Sequence, residues 1–155
     1  MAQIRAFRPD DATAVVALFR DTVRRINSRD YSPEQVWAWA PDEIEQSWID
    51  KLARRFTLVA ETGGQIVGFG DLEADDRLGH LYVQADHQGR GVGRALLEAL
   101  EAEAMRRGCQ VIHTEASITA KPFFERQGYR VLREQVVVCR GVEFVNYRME
   151  KALGQ

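Results

Sequence analysis

The chain has 155 residues, near the commonest size for one domain, so one core built around a sheet is expected to span residues 1–155. Its 21 basic and 23 acidic side chains give a formal charge of −2, without the basic excess that nucleic-acid binding calls for. No stretch approaches the roughly 18 apolar residues of a membrane-spanning helix, and Cys109 and Cys139 lie in apolar surroundings without metal-ligand spacing, so a cytoplasmic protein with no nucleic-acid or membrane partner is expected.

Ile4 to Arg8 alternates apolar and polar residues up to Pro9 and reads as a first strand. Asp10 or Asp11 then offers a cap to a helix carrying Val15, Val16, Leu18, Phe19 and Val23 at helical spacing. In Tyr31-Ser32-Pro33-Glu34-Gln35, Ser32 supplies an N-cap, Pro33 the favoured first helical residue and Gln35 the returning side chain of a capping box. A short helix with Val36, Trp37 and Trp39 follows, closed by Pro41. A further helical segment from about Asp42 to Arg55 places Ile44, Trp48 and Leu52 on one face.

From Phe56 the period changes to two. Phe56–Glu61 and Gln65–Gly70 flank Gly63-Gly64 as a hairpin, and a polar turn at Asp75-Asp76-Arg77 leads into a third antiparallel strand, Leu78–Val83. Gly91 to Arg107 is the strongest helix, with Leu96, Leu97, Leu100 and Met105 among charged residues and Gly108 as its stop. Val111–Glu115 is a strand, Thr119 a cap for a short helix through Phe123 and Phe124, and Tyr129–Cys139 with Val142–Met149 a closing hairpin about Arg140-Gly141. The long helix serves as a crossover that lays Val111–Glu115 parallel to Leu78–Val83, so the sheet is mixed and a fully parallel doubly wound fold is excluded.

The chemistry concentrates in Leu81-Tyr82-Val83-Gln84-Ala85-Asp86-His87-Gln88-Gly89-Arg90-Gly91-Val92-Gly93-Arg94-Ala95-Leu96. A strand enters a glycine-rich turn that opens a helix, whose first amides have no partner within the helix and point at an anion. Gly89, Gly91 and Gly93 remove β-carbons that would hold a diphosphate away, and Arg90 and Arg94 add positive charge there. A dinucleotide fingerprint would need a third glycine where Leu96 stands, and a phosphate-binding P-loop would need Lys then Ser or Thr where Arg94-Ala95 stands. The plain alternative is a flexible turn before an ordinary helix.

Gln88-Gly89-Arg90-Gly91-Val92-Gly93 resembles the Gln/Arg-x-x-Gly-x-Gly/Ala signature that Gcn5-related N-acetyltransferases (GNAT) carry between their fourth strand and third helix. Ser117–Tyr129 is similar to that family's second coenzyme segment, usually Asn-x-x-Ala-x-x-x-Tyr-x-x-x-Gly-Phe. Tyr31–Ala40 together with Ala116–Phe124 looks more narrowly like the bacterial YafP-type branch. The resemblance implies an α/β fold of mixed α+β type, the acyl-CoA N-acyltransferase fold: a mostly antiparallel six- or seven-stranded sheet with helices on both faces. It implies acetyl-CoA (coenzyme A) as cosubstrate, no metal, and direct transfer of the acetyl group to a primary amine of a small-molecule or peptide acceptor. A homodimer is compatible with this reading. By the same resemblance, the coenzyme is held by Gln88, Gly89, Arg90, Gly91, Val92, Gly93, Arg94 and Ala95, by the main chain of Leu81, Tyr82 and Val83, and by Ser117, Phe124 and Arg126.

The sequence departs from the family where catalysis is usually lodged. Phe124 stands where a tyrosine commonly protonates the leaving thiolate, which leaves Tyr82, water, or an unprotonated thiolate. Ser117 stands where an asparagine commonly contacts pantetheine. Arg77 and Gly79 occupy the positions of the usual fourth-strand base. His80 has the right chemistry, but strict alternation turns it to the other face of its strand, whereas Glu115 borders the expected gap between strands. Tyr31, Trp37, Trp39 and Trp48 fall in the segment that lids the acceptor in this family, where they imply a flat or apolar amine if they line the site, and Asp71 and Glu73 are candidates to hold its cation. Two rivals follow from the departures: an acyl-CoA sensor without turnover, and an interaction module built on the Trp-bearing helices.

Overall fold

The computed structural model describes residues 2–154. The elements run β1 (Gln3–Ala6), α1 (Ala12–Arg25), α2 (Pro33–Trp39), α3 (Gln46–Arg54), β2 (Phe56–Thr62), β3 (Gln65–Ala74), β4 (Arg77–Val83), α4 (Val92–Arg106), β5 (Val111–Ser117), α5 (Lys121–Arg126), β6 (Arg130–Cys139) and β7 (Val142–Ala152). The strands form one seven-stranded sheet in the order β1-β2-β3-β4-β5-β7-β6, antiparallel except for β4–β5. The expected crossover is therefore present, with α4 linking two parallel neighbours.

Alternation along the strands distributes the core to both faces. Leu58 and Ala60 of β2 pack with Leu96, Leu97 and Leu100 of α4, whereas Val59 between them packs with Val15, Phe19 and Val23 of α1. Ser32 caps α2 as its sequence predicts: its Oγ accepts from the Gln35 amide at 3.2 Å, and Gln35 Oε1 accepts from the Ser32 amide at 2.8 Å. Gly63 and Gly64 both have positive φ, 58° and 77°, which matches the right-handed twist of the β2–β3 hairpin they connect.

Several local expectations are corrected. Asp11 ends a 3₁₀ turn, Pro9–Asp11, and its carboxylate accepts from the Arg8 amide at 2.7 Å and from Arg5 at 2.8 Å, so it does not cap α1. The third helix begins only at Gln46, leaving Ile44 in the irregular segment before it. Thr119 donates to Asp30 at 2.8 Å, and the turn before α5 is held by Ser117 Oγ, which accepts from the Ala120 amide at 3.0 Å.

Two irregularities shape the centre of the sheet. Leu78 pairs with Leu72 and Leu81 with Gly70, so three steps on β4 oppose two on β3, a bulge at Gly79–His80. The β4–β5 ladder has only the pairs Arg77–His113 and Leu78–Thr114, after which the strands part.

Candidate active site

Two cavities meet in that parting. One, of about 450 Å³, runs from the glycine-rich turn past Leu81, Tyr82 and Val83 to Ser117, Phe124 and Arg126. The other, of about 500 Å³, lies between α2, α3, β4 and the β6–β7 hairpin. Trp39, Gly79, Tyr82, Glu115 and Ser117 border both, so a group entering along the first can reach one held in the second.

The first cavity ends at the N-terminus of α4. The amides of Arg90, Gly91, Val92, Gly93 and Arg94 make no hydrogen bond among the described residues, whereas the Ala95 amide already donates to Gly91 O at 3.0 Å. Ala95 thus lies behind the cradle, and Val92, 7% exposed, contributes its amide while its side chain packs into the core. Gly91, the residue before α4, has φ 83° with open space where a Cβ would stand, and Gly89 has φ 74° with the same freedom. These left-handed positions leave the amides unpaired, an arrangement that suits the dense negative charge of a diphosphate. Gln88 has a different role: its Nε2 donates to the Val83 carbonyl at 2.8 Å and ties the turn to the end of β4.

Beyond Leu78 the edge of β4 facing β5 has no strand partner, so an extended chain bearing amides can lie there as an added strand. Asn27 reaches this cavity from behind α1, with Nδ2 3.5 Å from Ser117 Oγ. It brings a carboxamide beside Ser117, where the family commonly has one on the residue itself. Phe124 is 4% exposed and packed edge-on against Phe123 and Tyr129, a wall without a proton to give.

The second cavity is walled by aromatic rings. Phe19, Trp48, His80 and Tyr82 form one wall, backed by Phe69 stacked on Tyr82 at 5.6 Å. Tyr31, Trp39 and Phe144 form the other, with centroids 5.3 to 5.8 Å apart. The Tyr31 hydroxyl donates to the Val145 carbonyl at 2.7 Å and accepts from the Ile118 amide at 2.9 Å, so it pins β5 and β7 while its ring faces the space.

His80 lies in this wall, contrary to strict alternation. The bulge inserts one residue between Leu78 and Leu81, which both face α4, and thereby turns His80 and Tyr82 together toward α1 and α3. Behind it Asp71 is fully buried, with Oδ2 3.1 Å from His80 Nδ1 and 3.3 Å from Arg55 Nη1. Burial acts to raise the Asp71 carboxyl, but its hydrogen bond to His80, the charge of that ring, the His80 amide and Arg55 outweigh it and hold the group below the usual carboxylate range. An ionised Asp71 takes a proton-bearing Nδ1, leaving Nε2 as the basic nitrogen of the ring. Gly79 is needed here: a Cβ on it would run into Asp71 Oδ1.

The other candidates divide. Glu115 borders both cavities but its Oε1 lies 3.4 Å from Arg77 Nη2. Glu73 lines the second cavity, 3.8 Å from Arg55 and 4.0 Å from Arg77. Asp71, proposed from sequence as a cation holder, is sealed behind His80. Trp37 is 52% exposed and stacks under Arg24 away from both cavities, because α2 turns its Val36 and Trp39 faces inward instead. Burial raises the Tyr82 phenol well above its usual range, with the Trp39 indole acting the other way, so Tyr82 stays protonated. Asn27, Phe19, Phe144, Cys139 and Arg140 are site residues not singled out as such from sequence; they are brought in by packing between distant elements.

Residues 27–151 match the family model described as the acetyltransferase (GNAT) domain. An uncharacterized N-acetyltransferase of Escherichia coli K12, YafP, is 38% identical over 148 residues, covering 95% of this chain and 93% of that protein. The crystal structure of a GCN5-related N-acetyltransferase from Rhodopseudomonas palustris superposes with a TM-score of 0.95 at 34% identity, covering 99% and 96% of the two chains. The PaiA N-acetyltransferase of Thermoplasma acidophilum, solved in complex with coenzyme A, shares the fold with a TM-score of 0.80 at 18% identity over 98% and 99% of the chains. Together with the turn, the parted strands and the seven-stranded mixed sheet, these matches establish that the chain belongs to the Gcn5-related N-acetyltransferase superfamily.

Proposed function

We propose that this protein transfers the acetyl group of acetyl-CoA to a primary amine by direct attack within one ternary complex. The observation that carries the reading is the junction of the two cavities at the β4–β5 parting, with a histidine in the wall of the second. The coenzyme binds along the first cavity, its diphosphate on the amides of Arg90–Arg94 and its amide-bearing arm along the open edge of β4. The E. coli and R. palustris relatives bear N-acetyltransferase names, and the T. acidophilum neighbour was solved with coenzyme A, which supports the cosubstrate.

Bound acetyl-CoA supplies the reactive thioester carbonyl. His80 Nε2 takes the proton of the incoming ammonium, directly or through water, so that a neutral amine attacks, and the second N–H proton, released as the tetrahedral intermediate collapses to the amide, leaves through water to solvent or to the departing thiolate; Asp71 holds the ring in the tautomer that can act as base. Glu115 is committed to Arg77 and is assigned to shaping the junction. Tyr82 donates a hydrogen bond toward the departing sulfur without surrendering its proton, because its phenol is a weaker acid than a thiol. The departing thiolate is only modestly basic and tolerates this.

Thiol release from acetyl-CoA across a panel of amines tests the proposal. Amine-dependent release that falls in His80→Gln supports it. Saturable coenzyme A binding with no release on any amine would instead support the sensor reading.

A further inference from the structure

The second cavity is lined on one side by a contact that nothing in the reaction requires. At the tip of the β6–β7 hairpin, Arg140 and Gly141 both have positive φ, 47° and 77°. Such a turn favours Asn, Asp or Gly at its first position, and Arg140 is the one non-glycine with positive φ among the described residues. Its side chain lines the cavity and links the hairpin to the α2–α3 segment. Nη1 donates to the Ala38 carbonyl at the end of α2 at 2.6 Å, and Nη2 lies 3.3 Å from Glu45 Oε1 just before α3. Cys139, beside it, lies with Sγ 3.6 Å from the same carbonyl, and Gln35 of α2 donates to the Glu143 carbonyl at 2.8 Å on the far side of the turn. Glu45, Cys139 and Arg140 all line the cavity.

On the reading that this cavity receives the amine, we infer that Arg140 is a specificity-determining residue: its strap to Ala38 and Glu45 excludes extended chains, and the acceptor is a compact amine with an apolar, ring-sized body. Three observations support this together. The strap joins the hairpin to the α2–α3 segment at the lining of the cavity, so a polypeptide continuing beyond its reactive amine on that side would have to part it. The space behind it, about 500 Å³, suits a small molecule. Its walls are Phe19, Trp48 and Tyr82 on one side and Trp39 and Phe144 on the other, which solvate a flat apolar body and leave a peptide's main-chain amides without partners. The acidic lining residues Glu45, Glu73 and Glu115 are each engaged with an arginine, so the amine is selected by shape more than by an acidic trap.

The test compares 2-phenylethylamine with a tetrapeptide that begins with phenylalanine, on the wild type, Arg140→Gly and Glu45→Gln. Glycine suits the turn, so Arg140→Gly is expected to fold with an undiminished melting temperature, and Glu45→Gln breaks the ion pair without touching the turn. Wild type should favour the small amine by roughly 100-fold in kcat/KM, and both variants should narrow that ratio about tenfold by raising the peptide's value while the small amine's falls. A merely structural role would lower both amines together, which would overturn the inference, as would a wild type that uses the peptide equally well. Tryptophan fluorescence titration with the same two amines separates this from failure of the transfer reaction itself. Size-selective binding that Arg140→Gly relaxes, without turnover on either amine, would sustain the strap while ending the enzymatic reading; binding without size preference would end the strap.

Discussion

Asp71→Asn is nearly isosteric, so the change falls on hydrogen-bond polarity. The amide of His80 and an Nδ1 proton both need an acceptor at residue 71, and Arg55 faces the same group at 3.3 Å. Asparagine has one acceptor oxygen. Directed at the His80 amide, it leaves its NH2 facing the ring and the guanidinium, which drives His80 to the opposite tautomer and places the proton on Nε2. The base is then lost from the cavity. General-base catalysis contributes about 10²–10⁴-fold, so kcat on a good amine should fall by roughly 10²–10³-fold with the KM for acetyl-CoA little changed. The acidic limb of the pH–rate profile should flatten at the same time.

Stability offers a second reading of the same variant. Because Asp71 is held below its ordinary value in the folded protein, its contribution is present above about pH 4, the unfolded carboxyl's value, and is lost as pH falls through the folded value. The melting temperature of wild type should therefore exceed that of Asp71→Asn near neutrality and approach it in acid. A variant that keeps kcat within a factor of about two, or that loses activity through a raised acetyl-CoA KM instead, would refute the assignment of base and orienting carboxylate.

Gly91→Val forces a branched residue into φ 83° beside the unpaired amides, so the KM for acetyl-CoA should rise by about tenfold or more with the amine KM unchanged, as steady-state kinetics would show. Tyr82→Phe removes one hydrogen bond and no base, and should lower kcat by roughly tenfold while leaving its pH profile in place. Glu101 of α4 accepts from the Tyr129 hydroxyl at 2.7 Å and from Lys151 Nζ at 3.1 Å. Glu101→Ala leaves both without that partner, and denaturant unfolding should show a loss of about 2 kcal/mol.

Where a rule depends on near neighbours, the sequence was informative. The period-two runs, the Gly63-Gly64 turn, the capping box at Ser32 and the leucine stripe of α4 each specify a local conformation, and each is found. The unpaired amides at the start of α4 were legible for the same reason, since glycines at a helix start act through their own backbone. His80 was misplaced because the bulge depends on how β4 pairs with β3, and an alternation rule contains no term for an inserted residue. Asp71 looks like open charge in the sequence because its burial beneath Arg55 and His80 arises only once β3, β4 and α3 are packed. Trp37 and Trp39 are two residues apart on one helix, and only the docking of α2 on β7 decides which one faces the cavity. Likewise, nothing local places β7 between β5 and β6, which brings Phe144 and Arg140 to the site.

The ladder between β4 and β5 is only two pairs long, and α4 packs on the β1–β4 side of the sheet. The sheet thus consists of two panels that share a short seam, β1–β4 and β5–β7–β6, with α4 bridging them through Glu101 to Lys151. A molecule that hydrogen-bonds along the open edge of β4 acts as a rivet at that seam, and its binding energy is transmitted to the alignment of the panels. Amide exchange at residues 79–83 and 115–117 should slow most on saturation with coenzyme A, because the facing edges of β4 and β5 are not paired with each other there.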